Sequence, residues 1–212
     1  MNDAVGKLSL AAVREQLPYQ PVLLGTVALL AGAALTFAYN ATRDHIAAAE
    51  ARDMQQTLAQ VLPTGFADND LLQDVIELEG VKPGSKRKIH LAKKAGVVAG
   101  AVFGVSDRGY AGEIRLLMAV DRDGTVLGVR VLKHSETPGL GDKIEIARNN
   151  WIKSFDGKSL GNPPVEKWAV KKDGGVFDSF AGATITPRAV VSGVKKGLDY
   201  FAIHRKEITG AE

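Results

Sequence analysis

Two hydroxyls separated by one isoleucine, Thr184 and Thr186, lie in the segment Asp178-Ser179-Phe180-Ala181-Gly182-Ala183-Thr184-Ile185-Thr186-Pro187. The Ala-Gly-Ala run before them strips the backbone of bulk, and Pro187 marks a helix start. A lean backbone running into a helix N-terminus suits a phosphate, because unpaired N–H groups and the helix dipole both favour an anion there. A threonine before a first-turn proline is a strong N-cap. The spacing therefore assigns the Thr186 hydroxyl to a backbone N–H two or three residues on and leaves Thr184 for modification. The plainer alternative is a capped turn with no further role.

Two more segments carry chemical potential. His134-Ser135-Glu136-Thr137-Pro138-Gly139-Leu140-Gly141-Asp142-Lys143 reads as a strand end, a proline–glycine turn and a helix start, with a carboxylate beside a hydroxyl. Gly109-Tyr110-Ala111-Gly112-Glu113-Ile114 has glycines that let another group approach the backbone closely, with Tyr110 either a core residue or part of a site.

Asp178 to Thr184 resembles the Asp-x-x-(Ser/Thr)-Gly-Ala-Thr flavinylation motif of FMN-binding domains. That motif occurs in the G subunit of the Rnf (Rsx) electron-transport complex and in the C subunit of sodium-translocating NADH:quinone reductase. Glu136 to Gly141 resembles the flavin-side loop of the same family, and Gly109 to Ile114 its Gly-Tyr-x-Gly-x-Ile strand start. With an N-terminal anchor and the string Ala-Gly-Ala-Thr-Ile-Thr-Pro, the chain looks most like the Rnf G subunit. The resemblance implies FMN moved from FAD by a dedicated flavin transferase onto the threonine after Gly-Ala, here Thr184, as a phosphodiester. It implies Glu136, Thr137 and Leu140 against the isoalloxazine ring, where the glutamate would act electrostatically, and the amides of Gly139 and Gly141 near the ring's polar edge. Tyr110, Gly182, Ala183 and Asp178 complete the implied cofactor set. Ala181 departs from the pattern, standing where Ser or Thr is usual.

By that resemblance the chain is an electron carrier among other Rnf subunits in a bacterial inner membrane, with its soluble domain on the periplasmic side. Oxidation of NADH falls to another subunit, since no Gly-x-Gly-x-x-Gly fingerprint follows a strand. No residue is assigned a catalytic role. The alternatives are the C subunit of the sodium-translocating reductase, a non-redox membrane-anchored assembly or binding subunit whose threonine turn is only a cap, and a free-standing flavin reductase.

The elements that position these segments start with an anchor. No charged residue occurs from Leu17 to Thr42, and Val22 to Tyr39 is almost wholly apolar. About 20 such residues span a hydrocarbon core, and Tyr19 and Tyr39 bracket the run as interfacial aromatics do. A cleaved signal would have a shorter apolar core and a basic start. Here Asp3 and Glu15 offset Lys7 and Arg14. The expectation is a short cytoplasmic N-terminus over 1–20, a transmembrane helix over 21–42, a helical linker and domain start over 43–95, and an FMN-binding core over 96–212. Lys7 and Arg14 on one flank against Arg43 and Arg52 on the other give only a weak orientation bias. The absence of cysteine excludes thiolate chemistry and cysteine-ligated clusters and suits an oxidising compartment.

Beyond the anchor, Asp44 to Leu62 has helical spacing, and Asp70 to Glu79 reads as a short helix or irregular piece. Ile89–Ala92, Val97–Val105, Ile114–Val120 and Val126–Leu132 are Val/Ile/Leu-rich runs between turn signals, the pattern of an antiparallel meander. Helical patterning returns near Asp142 to Ile152, a strand is expected at Lys167–Lys171, and Pro187 to Ile208 carries one apolar stripe. The fold class is α+β, a mainly antiparallel sheet flanked by helices. The run Lys82, Lys86, Arg87, Lys88, His90, Lys93, Lys94 reads as a solvated or headgroup-facing strand rather than a nucleic-acid site. The four histidines show no metal-ligand spacing, and the net charge of +3 names no partner.

Overall fold

A computed structural model describes residues 19–80 and 84–210. The expectations placed on residues 1–18 and on Lys82-Pro83 lie outside the described residues. The chain divides into two compact units, Met1–Arg52 and Asp53–Glu212.

Helix α1, Tyr19–Val61, is one run of 43 residues, where the sequence suggested a span and a separate helix after it. No glycine or proline stands between Tyr39 and Leu58, so nothing interrupts the hydrogen-bond ladder. Residues 20–49 are exposed, and the helix is long and apolar enough to cross a membrane. Thr26, Thr36 and Thr42 donate their hydroxyls to the carbonyls of Val22, Gly32 and Ala38, each at 2.8 Å. Those polar groups are thereby satisfied within the helix, as a lipid environment demands.

The second unit is built on a five-stranded antiparallel meander: β1 Val75–Glu79, β2 Lys86–Lys94, β3 Val97–Arg108, β4 Glu113–Asp121 and β5 Val126–Lys133, hydrogen-bonded in that order. Both faces are covered, and the period of two sorts the side chains between them. On β4, Ile114, Leu116, Met118 and Val120 enter one buried cluster. Leu117 and Ala119 enter the other, with Leu58 and Val61 from the last turns of α1. The larger cluster is closed by α2, Ile185–Thr209, which lays Val190, Val194, Leu198 and Phe201 onto β3 and β4. Gly210 ends α2 in the left-handed region at φ +64°, its N–H returning to Lys206 O, the usual glycine stop.

Three expected elements differ. The segment expected as a short helix or irregular piece over Asp70–Glu79 holds strand β1, because Ile76 and Leu78 alternate with Glu77 and Glu79 and pack on the core. The stretch Asp142–Ile152 is no α-helix but two 3-10 turns, Asp142–Ile144 and Asn150–Phe155. Asn149 sits between them and accepts the Trp151 N–H at 2.8 Å on its side chain, which restarts the turn instead of continuing a helix. Lys167–Lys171 is not a strand: 3-10 turns at Val165–Lys167 and Lys171–Asp173 flank a single bridge between Val170 and Phe177. The buried alternation of Trp168 and Val170 imitates a strand over too few residues to pair.

These turns assemble an aromatic cluster. Trp151 meets Phe155 and Phe180 edge-on at 5.4 and 5.2 Å between centroids, and Phe155 stacks on Phe177 at 4.6 Å. Trp168 lies 5.3 Å from Phe177. Such contacts add about 0.5–1.5 kcal/mol each beyond their area.

Candidate functional site

Three loops meet near one end of the sheet: the β3–β4 turn at 109–112, the loop at 134–141 that leaves β5, and the turn that leads into α2. The last is the most tightly specified. Phe180 to Ala183 closes on an Ala183 N–H bond to Phe180 O at 3.2 Å, with Gly182 at φ +80°, a conformation that favours glycine. Phe177 and Phe180 are buried on the aromatic cluster, and Trp151 Nε1 donates to Asp178 O at 2.9 Å. The turn therefore rests on a rigid floor.

Helix α2 starts two residues earlier than Pro187 suggested. Thr184, not Thr186, occupies the N-cap position, with φ −80°, ψ −22° and no side-chain cap bond. The sequence reading of Thr186 as the cap is corrected: its hydroxyl donates to Glu136 Oε2, and the residue is 1% exposed. Among the described residues the Thr184 hydroxyl has no hydrogen-bond partner. The N–H groups of Thr184, Ile185 and Thr186 have no helical acceptor by position, and Pro187 removes the fourth donor. No acid lies in the first turn. Arg188 is held by Asp173 through two bonds at 2.6 and 2.7 Å.

Tyr110, Glu136, Thr137, Leu140, Gly141, Gly182, Ala183, Thr184, Ile185 and Thr186 line one cavity of about 350 Å³, within the size range of small-molecule sites. Eight residues proposed from sequence share it. Tyr110 is 73% exposed and so is no core residue. Gly139, in the left-handed region at φ +78°, and Asp178, which pairs with Lys171 at 2.6 Å, are not among the lining residues, and neither is Ala181, the position that departs from the motif. Gly141, expected with Gly139 near the ring's polar edge, is among the lining residues, as are Ile185 and Thr186, to which no cofactor role was assigned. A larger groove of about 560 Å³ beside Arg87, Tyr200 and His204 holds none of the motif residues.

Glu136 links all three loops. The residue is 5% exposed; its Oε1 accepts the Ala111 N–H at 3.0 Å and its Oε2 accepts the Thr186 hydroxyl. Its own N–H donates to His134 Nδ1 at 3.0 Å, and His134 Nε2 lies 2.6 Å from Glu145 Oε1. Room for the carboxylate comes from Gly109 and Gly141, where an added Cβ would fall 2.5 and 3.1 Å from its oxygens.

The residues present fit FMN. The cavity joins an uncommitted hydroxyl, a helix N-terminus with unpaired donors and an apolar rim of Leu140, Ile185 and Tyr110. A phosphate is favoured at the first and a planar ring at the last. Among the described residues no cluster of His, Cys, Asp and Glu is arranged to hold a metal.

Residues 109–199 match the family described as FMN-binding domain. The chain is 49% identical over 187 residues, 88% of its length and 85% of the relative's, to the G subunit of the ion-translocating oxidoreductase complex of Cereibacter sphaeroides. It is 41% identical to the protein of that name in Pseudomonas aeruginosa over 206 residues, 95% and 96% of the two chains. Among solved structures, NqrC of Shewanella oneidensis aligns with a TM-score of 0.48 at 23% identity, covering 68% of this chain and 76% of that one.

Proposed function

The chain belongs to the family of G subunits of ion-translocating oxidoreductase complexes of the Rnf type, and on that footing we propose that it carries its FMN as a phosphodiester on Thr184. It is a membrane-anchored FMN electron carrier of such a complex. FMN supplies the redox chemistry, taking up and giving back one or two electrons at its ring. This chain's residues hold and orient the cofactor.

The single observation that supports the ester is the state of Thr184: a hydroxyl without a partner, at the N-cap of a 25-residue helix, on the wall of the cavity. A flavin transferase would attach the cofactor from FAD. The Thr184 Oγ1 bonds to the FMN-side phosphorus of FAD, the pyrophosphate bond breaks, AMP leaves, and the hydroxyl proton passes to a base. The N–H groups of the first turn of α2 would hold the phosphate. Leu140, Ile185 and Tyr110 would flank the ring, and Thr137 would offer it a hydroxyl. Gly139 and Asp178 act at one remove: Gly139 allows the sharp turn before Leu140, and Asp178 fixes the acceptor turn on Trp151 through its carbonyl.

Full-length chain made together with a flavin transferase should fluoresce as a flavin in a denaturing gel and gain one FMN in intact mass. Thr184→Ala should lose both signals. Fluorescence kept by that variant would reject Thr184 as the acceptor. The soluble domain is placed on the outer face of the bacterial inner membrane, a reading supported by its lack of cysteine and by the need to tether a cofactor that cannot be replenished there.

A further inference from the structure

By its resemblance Glu136 would act on the flavin ring by charge, yet both of its oxygens are committed within the protein. Oε1 holds the N–H of Ala111, 25 residues away, and Oε2 holds the hydroxyl of Thr186, 50 residues away. The backbone of Glu136 is held in turn by His134. A buried carboxylate satisfied by two donors on separate loops is a cross-tie. Without it the Ala111 N–H loses its acceptor and the Thr186 hydroxyl, 1% exposed, is left unpaired away from water. Two glycines leave the carboxylate its space, and a Cβ on Gly141 would approach the Glu136 Cβ to 2.8 Å.

We propose that Glu136 is a positioning residue for FMN attachment: through Thr186 it fixes the first turn of α2, and with it the Thr184 hydroxyl, against the turn that carries Tyr110. The inference rests on the reading of Thr184 as acceptor. Thr184 sits at the N-cap, two residues before Thr186, so the direction of its hydroxyl follows the helix start. A transferring phosphorus must be met within a narrow angle and distance, and a displacement of about 1 Å costs on the order of a hundredfold in rate. The tie works by geometry rather than by negative charge. Glutamine can reproduce it: Oε1 still accepts from Ala111, and Nε2 donates to the Thr186 oxygen in place of the reversed bond.

The test follows the initial rate of covalent attachment by intact mass, using full-length unloaded chain in detergent, purified flavin transferase and FAD, with the thermal unfolding of each unloaded variant measured alongside. Glu136→Ala and Thr186→Val should each slow attachment by about tenfold or more while still unfolding cooperatively. Glu136→Gln should stay within about twofold of the parent, because it keeps the bridge. The double variant Glu136→Ala with Thr186→Val should be no slower than the slower single one, since both remove the same tie. Glu136→Gln as slow as Glu136→Ala would overturn the proposal in favour of charge acting on the ring. Multiplied effects in the double variant, or a parental rate in Glu136→Ala, would overturn it as well. If Glu136→Ala does not fold, Thr186→Val and Glu136→Gln decide: a slow valine and a fast glutamine support the tie, and any other pair rejects it. Failure of the parent chain to take up FMN, or uptake by Thr184→Ala, would instead reject the acceptor assignment beneath it.

Discussion

At the scale of single residues, the site depends on how little room surrounds the Glu136 carboxylate. A Cβ on Gly141 would stand 2.8 Å from the Glu136 Cβ and 2.9 Å from the Thr186 Oγ1, closer than packed atoms sit. Gly141→Ala should therefore destabilise the domain by about 1–3 kcal/mol, lowering its melting temperature by about 2–4 °C per kcal/mol. A melt matching the parent would mean that the wall moves aside freely. The sequence singled out Thr184 by giving Thr186 the cap, and that step is the one the structure corrects. Thr186 is occupied, as the spacing suggested, but by a side chain 50 residues away and not by the helix backbone. No local pattern encodes that contact, since a glutamate in a proline–glycine turn reads the same whether it faces solvent or crosses a cavity. Tyr110 was open between core and site for a similar reason: an aromatic between glycines carries no periodicity.

Among the elements, α2 does most to organise the domain, because it supplies both the cap at Thr184 and the stripe that closes the core. Besides apolar contact, it is tied to β3 at Asp107. Burial pushes the Asp107 carboxyl upward, but hydrogen bonds from Lys196, Ser192 and the Arg108 N–H outweigh that effect and leave it below the ordinary aspartate value. A carboxyl lowered in the folded state adds stability above its unfolded pKa of about 3.9, and that stability is lost as pH falls through the folded value. Asp107→Asn should accordingly show a shallower loss of stability than the parent between about pH 5 and about pH 3. The difference should be on the order of 1 kcal/mol, given the exposure of Lys196. Parallel stability curves for the two chains would refute the link. The meander was plain from the sequence because β3 to β5 are rich in Val, Ile and Leu and β2 to β5 are long and separated by clear turns. The stretches at Asp142–Ile152 and Lys167–Lys171 were misread because short 3-10 turns bury alternate residues much as strands and helices do. Their order comes from aromatic packing between distant segments.

For the whole molecule, the anchor and the FMN-binding domain were both evident before any fold was known, since a charge-free run needs only counting and the motifs carry their spacing with them. The side of the membrane was not evident, because two basic residues on each flank leave the charge rule nearly balanced. Protease added to cells with a permeabilised outer membrane and an intact inner membrane should cut the domain if it lies on the outer face. Cleavage only after the inner membrane is broken would put it inside. One consequence concerns light rather than chemistry. The chain has two tryptophans, and both belong to the aromatic floor beneath the acceptor turn, with Trp151 bonded to Asp178 and packed on Phe180. Tryptophan emits where flavin absorbs, so a ring attached at the turn above that floor would drain the emission by resonance transfer. The native protein thus contains its own optical gauge of cofactor loading, with the Thr184→Ala chain as its undimmed reference.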